Sequence, residues 1–300
     1  MQTQGSQSMR LTDGRSISYD ISTAPEGVTR PLILLANSLC APYRTWDAVV
    51  QQLNTRGIDV LRYDQPGHGL SGSPKNVDET TFESLADDVA ALLQHLQISK
   101  LDAWVGVSMG SATGVVFATR YPDIIEKLII CDTISSSPRV AGTPDVFQIR
   151  SQAAVEAGNL GDIVEQTIDR WFTQAWRQGN PEELSRIRTV MQTTTVEGFA
   201  ACCHALSAPT FDLRPLAPKL ADCVRDVVLV VGENDANLPQ SMKELQSLVQ
   251  GRFSSEKDGK KVDLHVLREA GHVCYLDNPT DFIHVVASEL RTETALQGML

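Results

Sequence analysis

Ser108 lies within Gly106-Val107-Ser108-Met109-Gly110, a G-x-S-x-G pattern. A serine hydroxyl is a weak nucleophile at neutral pH and attacks only when a neighbouring base takes its proton. The pattern describes a sharp turn from strand to helix that strains the serine backbone and admits only small residues two positions to either side. The helix after such a turn aims its free amides and its dipole at any anion forming beside the serine oxygen. His272, in Glu269-Ala270-Gly271-His272, is the candidate base. Two aspartates could orient its imidazole. Asp235 follows the apolar run Val227-Val228-Leu229-Val230-Val231 by four residues, and Asp132 directly follows the run ending at Cys131. Either gives the chain order Ser, Asp, His, one of the known orders of a nucleophile–base–acid triad; the placement of Asp235 four residues after its strand makes it the preferred acid, with Asp132 the alternative.

The tetrahedral oxyanion formed by serine attack needs two preorganised donors, for which the Met109 and Leu39 backbone N–H groups are the candidates. Asn37, Ser38, Trp171, Trp176 and His204 are candidate pocket residues. His95, His265 and His284 fall on elements unsuited to a base, and His68 reads as structural within a glycine-rich loop. Gly67-His68-Gly69-Leu70-Ser71-Gly72 fits a dinucleotide-binding spacing, but Pro74 stands where the phosphate-binding helix would begin. H-E-x-x-H and G-x-x-x-x-G-K-[ST] are absent, so neither a metal nor another cofactor is expected.

These residues must be positioned by the elements between them. Ser16–Ser22 alternates around Ile17, Tyr19 and Ile21 as a half-buried strand does. Pro31–Ala36, Ile58–Tyr63, Leu101–Val107, Lys127–Cys131, Asp226–Val231 and Val262–Leu267 read as further strands, several of them apolar throughout, as in a parallel sheet covered on both faces. Helical spacing appears after Trp46, over Phe82–Leu96, after Ser108, and over about Pro239–Val249 and Pro279–Leu290. Alternation of this kind implies a doubly wound α/β fold. In such sheets ligands bind beyond the carboxyl ends of the strands, where Ser108, Asp132, Asp235, His272 and Asn37–Leu39 all fall. The alternation breaks at 135–216, which reads as a helical insertion anchored by Trp171, Phe172 and Trp176. Residues 1–134 and 217–300 then form the core domain. Residues 1–9 are expected to be disordered, and Gly251–Lys261 to be a charged, flexible loop.

The 300 residues are 42% apolar, enough for a large core. Asp and Glu outnumber Lys and Arg by 37 to 26, a net charge of −11 that disfavours nucleic acid or an anionic membrane as partner. No apolar run reaches the roughly 18 residues of a membrane span, and the polar N-terminus lacks a secretory signal. The 6 cysteines include no C-x-x-C pair and read as reduced packing residues of a cytoplasmic protein. The expected partner is a small molecule; a homodimer is compatible with the sequence.

Taken together, Gly106–Gly110, the Gly67-His68-Gly69-Leu70-Ser71 loop and Gly232-Glu233-Asn234-Asp235 resemble the α/β-hydrolase superfamily over nearly all of residues 15–292. Asn37-Ser38-Leu39 with Trp46, and Cys202-Cys203 before Asp212-Leu213-Arg214, are similar to segments of the β-ketoadipate enol-lactonases. Cys40 and Ser111 depart from that pattern, standing where glycine is usual. The resemblance implies a mostly parallel eight-stranded sheet flanked by helices, an inserted helical cap, and hydrolysis of a lactone or carboxylic ester. Carbon–carbon bond hydrolysis or perhydrolysis on the same triad, and a receptor without turnover, are the rival readings.

Overall fold

The computed structural model describes residues 6–24, 30–253 and 262–290. Eight strands form one sheet: β1 (Gln7–Arg10), β2 (Ser16–Ser22), β3 (Leu32–Ala36), β4 (Asp59–Tyr63), β5 (Leu101–Val107), β6 (Ile125–Cys131), β7 (Asp226–Gly232) and β8 (Val262–Leu267), in the order β1-β2-β4-β3-β5-β6-β7-β8. The β1–β2 and β2–β4 pairs are antiparallel and all the others parallel. The expectation of disorder at 1–9 is corrected for Gln7–Met9, which pair with Ile17–Tyr19 in β1. Only Met9 of that strand is buried, so a short polar edge strand left no alternating pattern to read. Residues 1–5 and 254–261 lie outside the described residues.

The apolar strands β3, β5, β6 and β7 are central and covered on both faces, as their composition requires. Flanking them are α1 (Asp47–Thr55), entered through a 3-10 turn at Tyr43–Trp46, α2 (Phe82–His95) and α3 (Met109–Arg120). Thr81 and Ser84 cap α2 reciprocally, and its stripe of Phe82, Leu85, Ala86, Val89, Leu92 and Leu93 is buried in the hydrophobic core.

Between β6 and β7 the chain forms six helices: α4 (Pro138–Ala141), α5 (Val146–Ala157), α6 (Gly161–Trp171), α7 (Gln174–Gly179), α8 (Pro181–Met191) and α9 (Val196–Ser207). Their entry and exit are stitched together where Leu213 N–H donates to Ser135 O at 2.7 Å and Ser137 N–H donates to Phe211 O at 2.9 Å. The glycine-rich loop meets α9 backbone to backbone, since a Cβ at Gly67 would collide with Gly198. Close packing, not a nucleotide, accounts for that glycine. The chain closes with α10 (Leu238–Gln250), α11 (Cys274–Asp277) and α12 (Pro279–Leu290). No helix among the described residues is long and apolar enough to cross a membrane.

Strand register fixes where the chemistry gathers. Ala36, Gly106, Ile130, Leu229 and Leu264 lie in one row across the sheet. The loops leaving β3, β5, β6, β7 and β8 therefore share one edge.

Candidate active site

Ser108 occupies the turn between β5 and α3 with φ 55° and ψ −115°, a backbone conformation that a non-glycine residue keeps only when its surroundings enforce it. The two glycines make that enforcement possible. A Cβ at Gly106 would collide with the backbone of Gly110, and one at Gly110 with the carbonyl of Ala36. Gly110→Ala should therefore cost about 3 kcal/mol or more, because backbone cannot give way as a side chain can. A thermal-unfolding midpoint equal to that of the unsubstituted protein would refute this account of the turn.

Ser111 braces the same turn. Its hydroxyl accepts from Cys131 N–H at 2.8 Å and shares its proton between Gly106 O at 2.6 Å and Cys131 O at 2.8 Å. This residue, conspicuous in the sequence only as a departure from glycine, ties β5, α3 and β6 together at the site.

His272 follows β8 and is buried at 4% exposure beside Asp235 at 5%. Its Nδ1–H donates to Asp235 Oδ2 at 2.7 Å, which leaves Nε2 as the lone-pair nitrogen. The loops carrying them approach closely because Gly232 has no side chain to strike the Gly271 and Ala270 carbonyls. Asp132 is brought elsewhere. Its Oδ1 accepts from Gly232 N–H at 2.8 Å, joining the ends of β6 and β7. Complete burial pushes the Asp132 carboxyl well above the usual carboxylate range, and the nearby Cys274 and Asp235 push it further. An uncharged Asp132 suits a structural acceptor better than a counter-charge for an imidazolium.

On the opposite side of Ser108, Leu39 follows β3 in a loop held by three side-chain bonds. Trp46 Nε1–H donates to Asn37 Oδ1, Gln65 Nε2–H donates to Asn37 O at 2.8 Å, and Cys40 N–H donates to His68 Nε2 at 2.9 Å. The Leu39 N–H donates to no group among the described residues, and Met109 N–H heads α3, where helix amides have no intrahelical partner. Asn37 and Ser38 are both buried, and Asn37 Nδ2 has no partner among the described residues.

His68 is completely buried, and its other nitrogen faces Pro66 O at 3.0 Å, so the ring is a neutral Nδ1–H tautomer. Burial lowers its pKa to about 4, against a modest opposing contribution from the Pro66 carbonyl. As pH falls from about 6.5 to 4 the unfolded chain takes a proton that the folded ring refuses. The contribution of His68 is thus whole above about 6.5 and declines, by about 3 kcal/mol at most, to a floor below 4. Asp64, raised to about 7 by burial, runs the other way: its contribution is present below its ordinary pKa and lost as pH rises through 7. Bulk unfolding would blend the two. Nitrogen-15 NMR of the imidazole should instead show an unchanged neutral His68 from pH 8 to 5; titration near 6.5 would contradict the buried geometry.

Of the remaining candidates, Trp171 stacks on the His272 ring with centroids 5.8 Å apart, and Trp176 stacks on Phe172 at 4.2 Å. His204 stands elsewhere, its Nδ1 3.5 Å from Oδ1 of the exposed Asp78. The described residues include no group of three or more His, Cys, Asp or Glu side chains arranged to hold a metal.

Comparison with known proteins agrees with this fold. The family described as the alpha/beta hydrolase fold matches residues 31–279. The 3-oxoadipate enol-lactonase 2 of Acinetobacter baylyi is 29% identical over 262 residues, 87% of this chain and 89% of that protein. An sn-1-specific diacylglycerol lipase of Xenopus laevis is 30% identical over 275 residues, 91% of this chain and 83% of that one. The solved enol-lactonase of Burkholderia xenovorans LB400 superposes with a TM-score of 0.78 at 28% identity, covering 96% of this chain and 98% of that one.

Proposed function

This chain belongs to the alpha/beta-hydrolase family, and from that premise we propose that it hydrolyses a lactone or carboxylic ester through an acyl-enzyme, with Ser108 as nucleophile, His272 as base and Asp235 as acid. The observation that carries this reading is the 2.7 Å His272–Asp235 hydrogen bond on the sheet edge that also holds the strained turn at Ser108. His272 Nε2 accepts the Ser108 proton as Oγ bonds to the substrate carbonyl carbon. The resulting oxyanion takes hydrogen bonds from Leu39 and Met109 N–H. The carbonyl re-forms, the bond to the leaving oxygen breaks, and His272 passes that oxygen its proton. Water, deprotonated by the same ring, then attacks the acyl-serine and regenerates the free hydroxyl. Asp235 keeps the Nδ1–H tautomer and stabilises the imidazolium at each proton transfer.

The likeness to enol-lactonases and to a lipase supports a lactone or ester over a β-diketone as the substrate. A fluorophosphonate probe should add once, on the peptide containing Ser108; no adduct there would overturn the nucleophile assignment. A panel of lactones, aryl esters and β-diketones separates the proposed reaction from carbon–carbon hydrolysis, for which turnover of the diketones alone would speak. The six cysteines are free thiols, which supports a reducing, cytoplasmic setting.

A further inference from the structure

The inserted helices reach the candidate base through the end of α6. Its buried residues Ile163, Val164, Thr167, Ile168 and Trp171 recur at helical spacing, so Trp171 completes the stripe that seats this helix. The helix stops there, and the Trp171 carbonyl lies against Gly271, where a Cβ would stand 2.2 Å from that oxygen. A glycine directly before His272 thus lets the end of α6 press onto the loop that carries the base. Gly271 N–H donates to Asp277 Oδ2 at 2.6 Å, which holds the backbone at that contact.

The Trp171 indole stacks on the imidazole itself. The ring centres are 5.8 Å apart with 28° between the planes, and Trp171 and His272 are 1% and 4% exposed. Asp235 holds only one corner of the imidazole, Nδ1. A ring held at one corner still swings about Cβ–Cγ, and the indole face blocks that swing on one side. An aromatic face also attracts a cation within about 6 Å of its centre, tryptophan most strongly. The imidazole becomes such a cation whenever it takes a proton. Trp171 Nε1 is buried and has no hydrogen-bond partner among the described residues. A phenylalanine would strand no donor, so the indole carries a penalty that its more electron-rich face offsets.

We propose that Trp171 is a positioning residue for the base: its face orients the His272 ring and stabilises the imidazolium, so that the inserted segment contributes to proton transfer. This rests on the reading of His272 as the base that serves Ser108. The ionisable groups around the His272–Asp235 pair are Asp132 at the end of β6, Cys274 and Asp277 on α11, and Arg170 on α6. A test that alters only the indole leaves all of them in place.

Such a test replaces Trp171 alone with mono-, di- and trifluorinated tryptophan, which keep the shape of the indole and progressively withdraw electrons from its face. Two quantities are followed: kcat/KM for p-nitrophenyl acetate, and the pH at which the His272 ring titrates by nitrogen-15 NMR. Both should fall stepwise with the number of fluorines. The trifluorinated protein should lose about 3–10-fold in kcat/KM, and its ring should titrate lower by up to about one pH unit. The direction follows because a weaker face disfavours the protonated ring, which then forms only at lower pH. A tryptophan that merely packs would leave both quantities flat while the esters are still turned over, and that result would overturn the proposal. A rate that rises with fluorine would overturn it too, because fluorine makes the indole N–H a stronger donor and the rise would reveal a substrate contact instead. A stepwise fall of the titration pH with no ester turned over would support the imidazolium contact and count against the hydrolase reading.

Discussion

Ser108→Ala should lower hydrolysis of any turned-over ester by about 10⁴–10⁶-fold, with the burst of product release from an activated ester lost as well. The size follows from the division of labour at the site. Alanine keeps the Cβ and leaves the turn at φ 55° with the same packing against Gly106 and Gly110, so the fold is preserved. What disappears is the oxygen that must bond to the acyl carbon. Water activated by His272 can replace it only poorly, because it is not held at bonding distance before attack. The Leu39 and Met109 amides would still stabilise an oxyanion, which explains why the variant should retain a trace of activity above the uncatalysed rate. Stopped-flow release of p-nitrophenol measures burst and steady state together. A variant that is folded by circular dichroism and retains a tenth of the rate would mean that another group attacks.

The strands, the turn at Ser108 and the sheet edge that gathers the candidates were legible because each is written locally. Apolar runs such as Val227–Val231 mark buried strands, and G-x-S-x-G marks a turn that few residues can make. What sequence left open depends on approach between distant segments. The choice between Asp235 and Asp132 turns on how closely the loops after β7 and β8 meet, which Gly232 permits and no local pattern announces. Ser111 looked like an anomaly because its bonds reach Cys131, twenty residues away. Gln65 and His68 sat in a glycine-rich loop with no sign that they would hold Asn37 and Cys40.

Asp235→Asn should lower turnover by about 10⁴-fold, whereas Asp132→Asn should stay within about tenfold of the unsubstituted enzyme. The two carboxyls lie on neighbouring strand ends, yet the substitution asks different things of them. Asp235 accepts the Nδ1 proton of His272 at 2.7 Å, and an asparagine there can turn its NH₂ toward the ring instead. The ring then keeps its proton on Nε2 and loses the lone pair that Ser108 needs, and no carboxylate remains to stabilise the imidazolium. Asp132 is pushed toward its neutral form by burial, so exchanging it for a neutral amide changes little charge. Its bond from Gly232 N–H survives, because an asparagine Oδ1 accepts as well as a carboxyl oxygen does. Asp132→Ala differs again: it strands that buried amide and should cost about 1–3 kcal/mol of stability, read as a lower unfolding midpoint with the pH dependence of kcat/KM retained. A loss of about 10³-fold or more in folded Asp132→Asn, with Asp235→Asn little affected, would transfer the role of acid to Asp132 despite the distance geometry. Measuring kcat/KM against pH for both asparagine variants separates the cases, because only the true partner of His272 alters the protonation step on which the rate depends.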